Sequence, residues 1–328
     1  MNKPLISVII PVHNTGAFLD RTLTSITGQT LPEIEVICID DASTDNSLCI
    51  LQSWGQRDPR IQIIYFEHNQ GVSAARNAGF DHSLGEYIYY LDSDDWIDPD
   101  YLKVMYTKAQ ETGQDVVVNA NYVNEFDDIL QNAPSGNFGF IHGDGYYPVT
   151  QVQTFFPPSV CTRLYKRDFL SHIGLRFPHL KNGEDIFYTG LAELMQKNSY
   201  VFRGPFYHYW QREGSLMHQK GNGYYYIQSF KLLYDELIKR DIPTEDIRLF
   251  YAGPLILDTP EKFNFVRAFM MEIEPQVRRH PGLYVDHDLF LMDAVTSSED
   301  YASFLSKHNP NIAIAFIRNR MKRLPSNG

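Results

Sequence analysis

The sequence predicts an α/β protein built on a mostly parallel β-sheet covered on both faces by helices. Three observations predict it. Runs of apolar, β-branched and aromatic residues suited to buried strands recur at residues 5–10, 35–39, 61–66, 87–91 and 116–118. Helical spacing falls between them, with Phe18, Leu19, Leu23 and Ile26 on one face and Leu48, Leu51 and Trp54 on another. The two kinds of element alternate, and parallel neighbours in a sheet need such helical crossovers.

Each element has its own justification. The N-terminal apolar stretch is too short for a signal peptide and has no small-residue cleavage site, so it reads as the first strand. Ser43 is placed to cap the helix that carries Leu48. Gly71-Val72-Ser73-Ala74-Ala75-Arg76-Asn77-Ala78-Gly79 reads as a small-residue helix pressed close to the sheet. The strand at 87–91 stops abruptly in Asp92-Ser93-Asp94-Asp95. From 121 to 149 the pattern weakens into loops or short strands rich in Gly and Asn. Gly183-Glu184-Asp185 opens a helix reaching about residue 194, Phe206 to Trp210 form an aromatic strand or loop, and 225–240 is an amphipathic helix. The remainder is helical, with breaks at Pro243, Pro254, Pro260, Pro275 and Pro281.

At 328 residues the chain exceeds the usual single-domain size. The pattern divides it at 1–120, 121–224 and 225–328, the last a helical C-terminal extension. A hydrophobic content of 43% with 21% charged residues fits a water-soluble globular protein, and no apolar run approaches the roughly 20 residues of a membrane span. The net charge of −11 excludes nucleic acid as a natural partner, because phosphate binding wants a basic surface. Three cysteines, Cys38, Cys49 and Cys161, lack metal-ligand spacing; they read as buried small hydrophobes in a reducing cytoplasm. The segment 312–324 carries Arg318, Arg320, Lys322 and Arg323 without an acid. Two readings fit it: a basic amphipathic helix on the inner face of an anionic membrane, or a terminal helix docked on the body.

The candidate chemistry lies at the carboxyl ends of the strands, where ligands bind in parallel sheets. Strand one ends in Pro11-Val12-His13-Asn14, strand two in Asp40-Asp41-Ala42-Ser43, and strand four in the acidic run. Three carboxylates within four residues repel one another unless a cation sits among them, and oxygen-rich sites suit magnesium or manganese. A solvated, helix-capping turn is the alternative. There is no G-x-G-x-x-G after strand one and no Walker A lysine, which argues against dinucleotide and P-loop readings.

These motifs, together with Gly71-Val72-Ser73-Ala74-Ala75-Arg76-Asn77 and Gly183-Glu184-Asp185, resemble those of the family 2 inverting glycosyltransferases, in the family's order and spacing over about residues 5 to 215. The resemblance implies the A-type glycosyltransferase fold, a Rossmann-like sheet, and a UDP-sugar donor bound with Mn2+ or Mg2+. It implies that Asp94 ligates the metal in the Asp92-Ser93-Asp94 arrangement, with Asp92 on the ribose or on metal-bound water. Asp95 is the third member, or else the cap of the next helix. Pro11, Val12, His13 and Asn14 would wall the nucleotide, Asp41 or Asp40 would accept the base N–H, and Arg76 would pair with diphosphate or ribose oxygens. Asp185 matches the catalytic base, since inversion is one in-line displacement with one base. In the segment after the base, His208 is a candidate metal ligand and Arg212 a candidate phosphate contact. Trp210 and Tyr224-Tyr225-Tyr226 could form an acceptor platform or pack in the core.

The processive Q-x-x-R-W signature is missing. The implied function is therefore transfer of a single hexose or N-acetylhexosamine to a glycan or lipid-linked glycan, in lipopolysaccharide, capsule or related surface polysaccharide, by a cytoplasmic or membrane-peripheral enzyme. Two rivals are a sugar-nucleotide nucleotidyltransferase and a catalytically idle glycan-binding or scaffold relative. The first wants a basic Gly-rich loop after strand one, and residues 11–16 hold no Lys or Arg.

Overall fold

The computed structural model describes residues 3–125, 133–134, 143–148, 159–196, 198–211, 222–245, 247–250, 255–312 and 316. The chain divides into two compact units, Met1–His179 with Tyr188–Glu213, and Leu180–Phe187 with Gly214–Gly328.

The first unit holds the sheet. Its opening strands are β1 (Ile6–Val12), β2 (Ile34–Asp40), β3 (Ile61–Tyr65) and β4 (Tyr87–Tyr90), and the connecting helices are α1 (Gly16–Thr27), α2 (Ser47–Arg57) and α3 (Val72–His82). After the two-residue β5 (Trp96–Ile97) come α4 (Tyr101–Thr112), β6 (Val116–Asn119), β7 (Tyr122–Glu125), β8 (Ala133–Pro134) and β9 (Gly145–Pro148). Then follow β10 (Arg163–Lys166), α5 (Arg167–His172), α6 (Glu184–Gln196), whose first four residues are counted with the second unit, β11 (Asn198–Phe202) and β12 (Tyr207–Trp210).

The main sheet has eight strands in the order β3-β2-β1-β4-β10-β6-β11-β9. Strands β3, β2, β1 and β4 run parallel, and β10 lies antiparallel between β4 and β6. Burial explains the near-continuous apolar runs: β1, β2 and β4 are closed to solvent along almost their whole length, as parallel strands with helices on both faces must be. A smaller four-stranded sheet, β5-β12-β7-β8, stands beside it. Helix α3 can approach the sheet only because Gly79 has no side chain: a Cβ there would sit 2.8 Å from Ile39 Cδ1 and would overlap Ile9.

Three local expectations fail for identifiable reasons. Helix α2 begins at Ser47, not after Ser43, because the Asn14 side chain accepts from the Thr44 amide at 2.8 Å and holds the loop open. Cys49 is exposed on α2, whereas Cys38 and Cys161 are buried as expected; all three are free thiols. Pro275 does not break its helix.

The second unit is helical, with α7 (Gly223–Lys239), α8 (Pro260–Arg279), α9 (Asp286–Thr296) and α10 (Tyr301–Lys307). Helix α8 runs through Pro275, while Pro260 occupies its first turn, where a missing N–H costs nothing. Thr259 caps that turn by accepting from the Lys262 amide at 3.3 Å. Tyr234 of α7 packs 6.0 Å from Phe269 of α8, and Phe263 of α8 packs 5.0 Å from Phe304 of α10. Most of the basic segment 312–324 lies outside the described residues, as does Pro254. Among the described residues no helix is long and apolar enough to cross a membrane.

Candidate active site

Because β1, β2 and β4 are parallel, their carboxyl ends share one rim. Val12 pairs with Asp40 and Ile9 with Tyr90, so the segments 11–14, 40–43 and 92–95 emerge side by side. The rim thus gathers Pro11, Val12, His13, Asn14, Asp40, Asp41, Asp92, Ser93 and Asp94. Arg76 joins them from α3, its Nη2 lying 2.9 Å from Asp92 Oδ1. Arg76 is almost wholly buried while Asp92 remains 36% exposed, so the pair presents the carboxylate to solvent above a fixed cation.

The β1 and β2 tails are tied to each other. A carbonyl can only accept, so His13 Nδ1 carries the proton and donates to the Asp41 carbonyl at 2.7 Å. Asn14 sits at a positive φ of 54°, and its backbone amide donates to Ser43 Oγ at 3.1 Å. Much of Asn14's hydrogen-bonding capacity is therefore spent on the loop. Asp41 accepts from the amides of Gln70 and Gly71 at 2.7 and 2.8 Å, which fixes the turn into α3. Asp40 differs: one oxygen accepts from the Ser43 amide at 3.2 Å, but Oδ1 is buried with no hydrogen-bond partner among the described residues. A buried acceptor that the chain leaves unpaired is costly unless a water or a ligand supplies the donor.

The acidic run divides. Asp92 and Asp94 are half-exposed, and Asp95 is closed to solvent. Asp95 caps no helix, since α4 starts six residues later behind Asp100. Its carboxylate instead accepts the Tyr207 hydroxyl and, at 2.7 Å, the Trp210 amide, binding β12 to the end of β4. Burial, with the neighbouring charges of Asp94 and Asp92, pushes the Asp95 carboxyl well above the usual carboxylate range. Ser93 accepts at 2.9 Å from the Thr15 hydroxyl.

His208 sits on β12, between two carboxylates. Its ring nitrogens lie 2.7 Å from Glu125 Oε1 and 3.0 Å from Asp98 Oδ1, and the ring stacks on Trp96 with centroids 5.0 Å apart. Each ring nitrogen thus faces a carboxylate in this arrangement. Arg212 lies outside the described residues. Asp185 is in the second unit, half-buried in the first turn of α6, next to a buried Glu184. The chain turns into that helix at Gly183, whose φ of 79° and close approach to Tyr226 exclude a side chain. Tyr224 and Tyr225 are half-buried in the second unit, each with a lysine nearby: Lys262 Nζ is 5.7 Å from the Tyr224 ring and Lys181 Nζ 5.8 Å from that of Tyr225.

Among the described residues no group of three His, Cys, Asp or Glu side chains converges as a metal cage. Two half-exposed carboxylates, Asp92 and Asp94, nevertheless match the way magnesium is held beside phosphates, by one or two carboxylates plus substrate oxygens.

Sequence reading missed two residues that shape this rim, Arg21 and Thr22 of α1. The signal for Thr22 was present: it lies on the same helical face as Leu19 and Ile26, and a fully buried hydroxyl there must be bonded. It lies 3.0 Å from the Ser93 carbonyl and 2.7 Å from that of Asp95. Arg21 carried no signal, because a cation on a helix ordinarily reads as solvated.

Comparison with known proteins agrees with this architecture. EpsH of Bacillus subtilis is 33% identical over 220 residues, 64% of this chain and 61% of that protein. A poly(ribitol-phosphate) beta-glucosyltransferase of Bacillus spizizenii is 30% identical over 218 residues, 65% of this chain and 33% of that protein. The chain thus matches less than two thirds of either relative's length. The S. aureus TarS 1–349 fragment, solved in complex with UDP-GlcNAc, superposes with a TM-score of 0.69 at 21% identity, over 97% of this chain and 92% of that one. At that identity the likeness is one of fold, and it carries the A-type glycosyltransferase architecture. The model of glycosyl transferase family 2 matches residues 7–174, just over half of the chain and the whole of the rim from β1 to the acidic run; the chain belongs to that family.

Proposed function

We propose that this chain is an inverting glycosyltransferase that moves a single hexose or N-acetylhexosamine from a UDP-sugar to a glycan acceptor, in the making of a bacterial surface polysaccharide. The observation that carries the reading is the rim itself, where Arg76 and two half-exposed carboxylates share the sheet edge with an Asp40 oxygen that has no hydrogen-bond partner among the described residues.

In this reading the uracil lies over the β1 and β2 tails against Pro11 and Val12. A buried carboxylate, Asp40 or Asp41, accepts its imide N–H. That preference selects uracil over cytosine, whose corresponding nitrogen has no hydrogen. Arg76 pairs with diphosphate or ribose oxygens, and Asp92 hydrogen-bonds the ribose. Asp94, with Asp92, would hold a Mn2+ or Mg2+ ion, whose contribution is Lewis-acid stabilisation of charge on the departing diphosphate. Asp185 takes the proton from the acceptor hydroxyl as that oxygen attacks the anomeric carbon from the face opposite the diphosphate. A carboxylate is matched to the task, since it starts ionised at neutral pH. Glu184, buried beside it, is the poorer candidate.

The acceptor reading is supported by the name of the Bacillus spizizenii relative, a poly(ribitol-phosphate) beta-glucosyltransferase. Peripheral contact with an anionic membrane through residues 312–324 belongs to the same proposal, and deletion of that segment should abolish co-sedimentation with anionic vesicles. The decisive variant is Asp185→Asn. Isothermal calorimetry should give UDP-sugar affinity near wild type, while a coupled assay for UDP release should find transfer below about a hundredth of wild type. Turnover above that level removes Asp185 from the mechanism.

A further inference from the structure

Three successive carbonyls of the acidic run, those of Ser93, Asp94 and Asp95, all accept hydrogen bonds from adjacent residues of α1. Thr22 shares its single hydroxyl proton between the first and third. Arg21 Nη2 takes the middle one, the Asp94 carbonyl, at 3.0 Å. Its guanidinium carbon lies 3.7 Å from the ring centroid of Trp96 and 4.5 Å from that of Trp210, two indoles tilted 49° to each other. Each indole is fixed in turn. Trp96 stacks within 7° of the plane of His208, which Glu125 and Asp98 grip from either side. The backbone amide of Trp210 binds Asp95.

Such a site needs a planar cation. A guanidinium is weakly hydrated, stacks on aromatic faces and keeps its in-plane N–H groups free to donate, whereas an ammonium does none of these as well. Burial pulls Arg21 below its ordinary pKa, and the charges of Asp95, Asp94 and Glu125 pull it back up. The protein therefore meets a desolvation cost to keep this charge beside the acids.

We infer that Arg21 is a positioning residue for Asp94. By holding the Asp94 carbonyl it fixes the backbone from which the carboxylate projects. By its charge it offsets the mutual repulsion of Asp92, Asp94 and Asp95 before a donor arrives. The inference rests on the reading of Asp94 as the donor-binding carboxylate, and its test separates the two.

UDP binding to wild type, Arg21→Met and Arg21→Lys is measured by calorimetry with and without Mn2+. Arg21→Met should lose about tenfold of the Mn2+-dependent gain in UDP affinity, the size of one lost charge-assisted contact. Its metal-free UDP affinity should stay within about twofold, a difference of no more than about 0.4 kcal/mol. Arg21→Lys should not restore the gain, because a strongly hydrated ammonium stacks poorly on aromatic faces. If Arg21→Met does not fold, Arg21→Lys alone decides: a loss of about tenfold supports the inference. A gain retained within twofold in either variant overturns it. So does an equal loss with and without Mn2+, which a merely loosened fold would produce. Failure of the functional reading looks different, since wild type itself would then bind no UDP or bind it without any effect of Mn2+.

Discussion

Tyr207 donates its hydroxyl to the carboxylate of Asp95, across 112 positions of sequence and out of reach of solvent. The contact joins the smaller sheet to the end of β4, so the side of the acidic run that faces the interior is fixed by structure and the other side is left for chemistry. Replacing Tyr207 by Phe keeps the ring and removes one of two donors to a buried carboxylate. Chemical denaturation should report a loss of about 1–3 kcal/mol. An unchanged midpoint would mean that Asp95 has another donor in solution.

Helix α3 brings Arg76 to the rim only because it lies flat on β1 and β2 at Gly79. Gly79→Ala would raise helix propensity, yet the added methyl meets Ile9 and Ile39. Overpacking should win, with a net loss of about 1–3 kcal/mol by denaturation and weaker UDP binding as Arg76 is displaced. A gain in stability would place α3 farther from the sheet than described.

Arg163 and Glu193 form a buried ion pair at 2.6 Å, each about 1% exposed. Removing one partner strands the other charge, so Arg163→Met should cost about 3–5 kcal/mol. Glu193 supplies a pH signature. Burial raises its carboxyl above the ordinary 4.5 despite Arg163, so the folded state holds its proton more tightly than the unfolded state. Its contribution to stability is complete below 4.5 and falls as pH rises through the folded value. The stability of wild type minus that of Glu193→Gln should therefore decline as pH is raised from about 4.5 in urea titrations. A difference that grows over that range would show that Arg163 outweighs burial.

The fold was legible in the sequence where one force dominated. Strands β1, β2 and β4 are buried on both faces, so solvent exclusion alone writes them as apolar runs, and the polar residues that interrupt each run mark the rim. Gly79 was legible for the same reason, as a small residue where backbone meets sheet. What could not be read depends on distant partners. Ser43 looks like a helix cap until Asn14, from the other side of the rim, takes the amides that follow it. The carboxylates of Glu125 and Asp98 that flank His208 come from other elements and leave no trace in its local sequence. Pro275 looks like a break, but the amphipathic face of α8, with Phe269, Met270, Ile273 and Val277 buried, outweighs one lost hydrogen bond.

The account turns on Asp94 as the carboxylate that meets the donor's diphosphate through a divalent ion. Calorimetric titration of UDP into wild type and Asp94→Ala, with Mn2+ present and absent, tests it most directly. The account predicts that Mn2+ tightens UDP binding in wild type and that Asp94→Ala loses this gain, with its metal-free affinity little changed. Equal UDP binding by the two proteins, with no effect of Mn2+ on either, would contradict it.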